Sequence, residues 1–211
     1  MIIICGRYYL KISIDKLLEK YGILDDDFSF TPSNEIFPSQ KAPVILNDRG
    51  NRKIKLYKWG FSPPYLNSLI INARSETLDQ KKTFREPFQN KRCIIPANGF
   101  FEWNKQGDKK VKHQIYVKDQ PIFSFAGLYD TFKNDSGEDV TNYTIITTRA
   151  NKEVSEIHNR MPVILHEDDI LTWLDPSNKD TDGLKDLLQP YDDSRLVVKP
   201  ESDSKQMSLD F

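Results

Sequence analysis

Residues 93–103, Cys93-Ile94-Ile95-Pro96-Ala97-Asn98-Gly99-Phe100-Phe101-Glu102-Trp103, decide the fold. Cys93–Ile95 and Gly99–Trp103 are short apolar or aromatic runs punctuated by Pro, Asn and Gly, a strand signal rather than a helix signal. Side chains alternate along a strand, so Phe101 and Trp103 share one face and Glu102 takes the other. Toward the C-terminus, His113–Val117, Ile122–Leu128 and Asn142–Thr148 repeat the pattern, with Gly-bearing turns at Gly107-Asp108 and Gly137. Toward the N-terminus, Leu69-Ile70-Ile71 predicts a buried strand that delivers Asn72-Ala73-Arg74. Before it come a Pro-rich loop at 60–68, a strand Arg52–Trp59, a hairpin turn at Asp48–Asn51 and the strand Pro43–Asn47.

Helices are expected at the periphery. Residues 12–22 form an amphipathic run with Asp15 near its start and Gly22 near its stop. Residues 75–91 are polar and helical, with Pro87 limiting the run. Glu153–His158, 167–175 and 182–189 complete the set, and Asp25-Asp26-Asp27 reads as a solvated turn. The expectation is α+β: one domain, a mainly antiparallel β core and peripheral helices, without repeat or dividing linker.

The chain has 211 residues, 38% hydrophobic and 29% charged, an ordinary globular composition. The apolar opening Met1-Ile2-Ile3-Ile4 is too short for a signal peptide and lacks a basic leader, so a cytoplasmic location is expected. No run approaches the length of a membrane span. With Cys5 and Cys93 the only cysteines and no CxxC pair, neither a disulfide nor a metal site is expected. The net charge of -1 excludes a globally basic nucleic-acid binder, so any DNA contact must come from a local patch.

Four clusters put reactive groups beside strand ends. In Cys5-Gly6-Arg7 a thiol stands next to a glycine that admits a close ligand, although free cysteine is more often a small buried hydrophobe. In Ile71-Asn72-Ala73-Arg74-Ser75-Glu76, Asn72 can donate and accept and Arg74 can fork onto phosphate. The bland alternative is a capped turn with a surface ion pair. Glu102, set between aromatics, would have a raised pKa suited to acid–base work, or else lies on the wet face of a sheet. His158, one of three histidines, stands by Arg160 and Pro162; a neighbouring cation biases it toward neutral, and the alternative is a helix-terminal His.

In this order the clusters resemble the SRAP family, the SOS-response-associated peptidases or abasic-site-processing proteins. The likeness adds Trp59-Gly60, Pro63-Pro64, Phe84-Arg85, Arg92-Cys93-Ile94-Ile95-Pro96, Phe125-Ala126-Gly127-Leu128-Tyr129 and Ile157-His158-Asn159-Arg160-Met161-Pro162, and runs from about residue 5 to residue 191. The resemblance implies a barrel-like β core and a partner of single-stranded DNA carrying an abasic site. It also implies a mature N-terminal cysteine whose amine attacks the sugar aldehyde and whose thiol closes a thiazolidine. By likeness, Glu102 shuttles protons, His158 assists and supports reversal or lyase-type strand cleavage, and Asn72 positions cysteine and sugar. Arg7, Arg74, Arg160 and Arg85 grip phosphates, while Trp59, Pro38 and the Pro63-Pro64-Tyr65 loop form a stacking surface or wedge. No cofactor, no membrane and a monomer, cytoplasmic and nucleoid-associated, are expected.

Two departures qualify this. Four residues precede Cys5, and an amide nitrogen is not nucleophilic. Either the start is misplaced, or the extension is removed, by autocatalysis in keeping with the peptidase name, or the protein binds without cross-linking; a trimmed N-terminus is preferred. Tyr65 is the one aromatic of a loop where the family often carries tryptophans, so strand-junction preference does not follow from the likeness. The domain is expected over residues 5–198, with a tail at 199–211. In that tail Gln206, Met207, Leu209 and Phe211 resemble the peptide that bacterial replication proteins insert into the sliding clamp, and a frayed terminus is the alternative. Competing functions are an N-terminal-nucleophile or cysteine peptidase using Cys5, His158 and Glu102, and a non-covalent single-stranded-DNA module.

Overall fold

A hairpin nucleus at residues 41–59 starts the β core. The computed structural model describes residues 5–24, 28–107 and 109–201. The expectations for residues 1–4, the acidic turn at 25–27, Asp108 and the clamp-like peptide lie outside those residues.

The chain opens with β1 (Arg7–Leu10), α1 (Ile14–Tyr21), β2 (Ser33–Ile36), β3 (Lys41–Asp48), β4 (Asn51–Trp59) and β5 (Asn72–Arg74). A 3-10 turn, Ser75–Thr77, leads to α2 (Lys82–Asn90), β6 (Arg92–Ala97), β7 (Gly99–Gln106), β8 (Lys109–Val117), β9 (Phe123–Lys133) and β10 (Asp139–Arg149). Then come α3 (Lys152–Ser155), β11 (Arg160–Pro162), β12 (Ile164–Leu165), α4 (Asp169–Leu174), α5 (Thr181–Asp186) and β13 (Leu196–Pro200). The β3–β4 turn has positive φ at both central residues, Arg49 (53°) and Gly50 (87°), the left-handed pair whose twist suits a two-residue hairpin.

Strands β10, β4, β3, β6 and β9 pair in that order, and β9 pairs again with β10. These five strands therefore close into a barrel, which leaves none of them a free edge. The β4–β10 seam is parallel, with Asn142 opposite Lys58 and Tyr143 opposite Trp59. A second sheet, β13-β8-β7-β1-β2, is antiparallel throughout. An aromatic column fills the centre: Tyr8 meets Trp59 edge-on at 5.2 Å and Phe125 at 5.9 Å, and the Tyr8 and Tyr143 hydroxyls are 2.7 Å apart. The barrel is closely packed at Gly127, where a Cβ would run into the Ile95 side chain and stand 3.0 Å from the Thr144 carbonyl and 3.2 Å from the Cys93 sulfur. Arg92 staples the helices to the barrel: its buried guanidinium donates to the carbonyls of Phe88, Gln89, Trp173, Asp175 and Asn178.

The structure differs from the sequence reading in four places. Residues 69–71 are half-buried and form no strand beyond the bridge Phe61–Ile70; the strand is β5 itself, which lies parallel to β10. Pro87 sits inside α2 instead of limiting it, and the helix closes through the Lys91 N–H to the Pro87 carbonyl at 2.7 Å. Strands β2, β11, β12 and β13, two to five residues long, escaped notice because so short a run shows no periodicity. The last of them carries Lys199 and Pro200, assigned above to the tail, into the ladder with β8.

Candidate active site

Strand β7 alternates as its sequence requires. Its partner β1 sets Arg7 opposite Phe101, and on that outer face Lys112 lies 3.9 Å from the Phe101 ring and 5.9 Å from that of Trp103. Glu102 points the other way and is only 3% exposed. Cys5 precedes β1 with a left-handed φ of 46°, uncommon for a residue with a Cβ. That turn brings its backbone nitrogen to 2.7 Å from the Glu102 carboxylate, to which the N–H donates, across 97 residues of sequence.

Burial governs the electrostatics. It pushes the Cys5 thiol well above its ordinary value, and the Glu102 charge and hydrogen bond push the same way; the Arg160 charge opposes them. Burial likewise raises the Glu102 carboxyl above the usual range, against the Cys5 hydrogen bond and the nearby His158 charge. A largely protonated thiol and a carboxyl poised above its normal range can exchange a proton between sulfur and carboxylate.

His158 follows α3 and is half-buried. The Arg160 backbone N–H donates to its Nδ1 at 3.0 Å. The same Nδ1 lies 3.2 Å from the Arg160 carbonyl, so the Arg160 backbone fixes the ring's orientation from both its N–H and its C=O. Arg160, at the head of β11, is held in turn. Its guanidinium forks onto Glu76 at 2.6 and 3.0 Å and donates to the Thr147 carbonyl at 2.6 Å. Burial pushes the Glu76 carboxyl up, but the Arg160 hydrogen bond and charge outweigh it and hold the group below its ordinary value.

The structure thus brings Cys5, Glu102, His158 and Arg160 into one cluster. Asn72 is half-buried at the start of β5, opposite Ile145, and Arg74 is exposed two residues on, opposite Thr147. Arg7 lies over the Phe37 ring at 3.8 Å and 3.5 Å from Glu35, on the opposite face of the sheet from Glu102. Arg85 is exposed on α2, and Pro38 is half-buried in the turn at 37–40. Tyr65 is 61% exposed, its hydroxyl 2.7 Å from that of Thr83.

Two expectations need correction. Trp59 forms no stacking surface for bases: it is fully buried, stacked on Tyr143, and its Nε1 donates to the Ile71 carbonyl at 3.0 Å. Arg160 is not a free phosphate clamp, because its guanidinium is buried and occupied by Glu76 and Thr147. The residue that sequence reasoning missed is Glu76; its signal was a carboxylate at the end of Asn72-Ala73-Arg74-Ser75-Glu76, but its partner lies 84 residues away. Among the described residues, no three His, Cys, Asp or Glu side chains gather in a way that could hold a metal ion, and no helix is long and apolar enough to cross a membrane. Both cysteines are free and buried.

The family model described as SOS response associated peptidase (SRAP) matches residues 4–204. The abasic site processing protein YoqW of Bacillus subtilis (strain 168) is 39% identical, over 96% of this chain and 98% of its own length. The abasic site processing protein HMCES of Xenopus tropicalis is 28% identical, over 79% of this chain and 61% of its own. A crystal structure of a protein from Bacteroides thetaiotaomicron superposes with a TM-score of 0.84 at 30% identity, covering 94% of this chain and 93% of that one. The chain belongs to the SOS response associated peptidase (SRAP) family.

Proposed function

We propose that this protein recognises abasic sites in single-stranded DNA and closes a covalent thiazolidine cross-link through Cys5, shielding the lesion in the DNA damage response. One observation carries the reading: the Cys5 nitrogen, the atom that must become the nucleophile, lies 2.7 Å from a buried carboxyl. The relatives named as abasic site processing proteins support the substrate class.

The chemistry needs a free Cys5 amine; where residues 1–4 are present, the bond between Ile4 and Cys5 is hydrolysed first. The Cys5 sulfur can attack the Ile4 carbonyl carbon, passing the acyl group from nitrogen to sulfur. Glu102, 2.7 Å from that nitrogen, takes the thiol proton and delivers it to the departing nitrogen, and water then hydrolyses the thioester. The freed α-amine, with a pKa near ~8, is far more available at neutral pH than a lysine. It attacks C1′ of the ring-opened sugar, and Glu102 returns a proton to the departing hydroxyl as water leaves. The Cys5 thiol adds to the resulting imine carbon and its proton passes to nitrogen through Glu102. The closure is intramolecular, which favours it over attack by external thiols. His158 hydrogen-bonds the sugar during opening, and the same Schiff base offers a lyase branch. Asn72 and Arg74, at the strand end beside Thr147, serve as sugar and phosphate contacts. The peptide Gln206–Phe211 serves as a sliding-clamp tether; deleting it should abolish clamp pull-down and leave cross-linking intact.

The test is intact mass spectrometry of protein beginning at Cys5, incubated with single-stranded oligonucleotides with and without an abasic site. The expected product has the summed mass of protein and oligonucleotide less one water, and is absent with undamaged DNA and with Cys5→Ala. An adduct formed equally well with residues 1–4 retained, or none from the trimmed protein, would sink the mechanism.

A further inference from the structure

A cavity of about 390 Å³ is lined in part by Glu76, the partner of Arg160. Its polar wall is Ser75, Thr148, Arg149 and Lys185, and Leu188 and Pro190 supply an apolar side. The charges around it do not cancel. Glu76 is satisfied by Arg160 at 2.6 Å, and Lys185 by Asp79 at 2.6 Å. Arg149 makes no ion pair among the described residues, although its charge reaches Glu76. One cation is therefore surplus, beside the nearly buried residues Ser75 and Thr148, whose hydroxyls can donate. The cavity is also tied to the site through the sheet: Arg149 sits opposite Arg160 in the β10–β11 register, and Arg160 follows His158 by two residues.

We infer that this cavity binds the nucleotide adjoining the abasic one, its phosphodiester against Arg149 and its sugar or base against Leu188 and Pro190. A phosphodiester carries one negative charge, which matches the single surplus cation. The volume lies within the roughly 300–1,000 Å³ of small-ligand pockets. Arg also supplies the fork geometry that phosphate oxygens accept. This rests on the proposed action on abasic single-stranded DNA and adds a subsite to it.

The test is a thermodynamic cycle. Fluorescence anisotropy would measure binding of three single-stranded oligonucleotides: abasic site internal, at the 5′ end, or at the 3′ end. Wild-type protein and Arg149→Gln would be compared, with cross-linking scored in parallel. Removing the nucleotide on one side of the lesion should weaken wild-type binding about tenfold, as expected for loss of one charge-assisted contact. Arg149→Gln should cost the same tenfold on the internal site, and nothing more on the oligonucleotide that already lacks that nucleotide. A variant that weakens all three oligonucleotides by one common factor, or leaves all unchanged, overturns the inference. Arg149-dependent binding without any adduct would instead keep the cavity and discard the covalent reading.

Discussion

Replacing Glu76 with alanine should destabilise the protein by about 2 kcal/mol at neutral pH. The carboxylate makes two charge-assisted hydrogen bonds to Arg160, at 2.6 and 3.0 Å. Removing one partner of a fully buried pair costs about 3–5 kcal/mol, because the other charge is left uncompensated. Here the Arg160 side chain is 10% exposed but that of Glu76 is 40% exposed, so solvent screening reduces the figure to roughly half. Arg160 also keeps its bonds to the Thr147 carbonyl and hydroxyl, which prevents complete abandonment of the charge. The pH dependence follows from the depressed Glu76 carboxyl. Its contribution is present above the ordinary value of 4.5 and is lost as pH falls through the lower folded-state value. Urea unfolding followed by tryptophan fluorescence should therefore show a wild-type advantage at pH 7 that shrinks as pH falls below 4.5. A difference below about 0.5 kcal/mol at pH 7, the range of an ordinary surface substitution, would refute the argument. So would one that persists undiminished in acid.

Glu102→Gln should slow cross-link formation by about 10²–10⁴-fold, the usual contribution of a general acid–base group, as read by single-turnover gels. The same variant should gain stability over wild type as pH rises above 4.5, because the folded protein resists ionising Glu102 while the unfolded chain does not; a denaturation series across pH that shows no such trend contradicts the burial argument. Trp59→Ala should cost about 3–5 kcal/mol in urea titrations, as for any large buried aromatic. Tyr65→Ala, at an exposed loop, should leave stability within about 0.5 kcal/mol of wild type, and reversed magnitudes would mean that the core has been misassigned. Arg92→Met should lower the thermal midpoint sharply, since five carbonyls lose their donor at once, and an unchanged midpoint would show that water replaces it.

Local chemistry made much of this protein legible from its sequence. The positive-φ turn at Arg49-Gly50 and the alternation of Phe101, Glu102 and Trp103 each depend on neighbours a few residues away, so pattern alone decides them. The same holds for Cys5, Glu102 and His158 as chemically suggestive groups. Tertiary structure alone decided their meeting. Cys5 and Glu102 are 97 residues apart, Arg160 and Glu76 84 apart, and nothing in either local stretch specifies the other. Burial was decided at that level too. Trp59, a stacking platform by family likeness, is instead buried, because closure of β4 on β10 sets Tyr143 beside it. Short strands such as β5 and β11 exist only through pairing with β10, since three residues bury too little surface to hold an extended shape alone. Sequence therefore determined which groups were available and which way a strand would turn them; long-range packing determined which became neighbours, and hence their charge states.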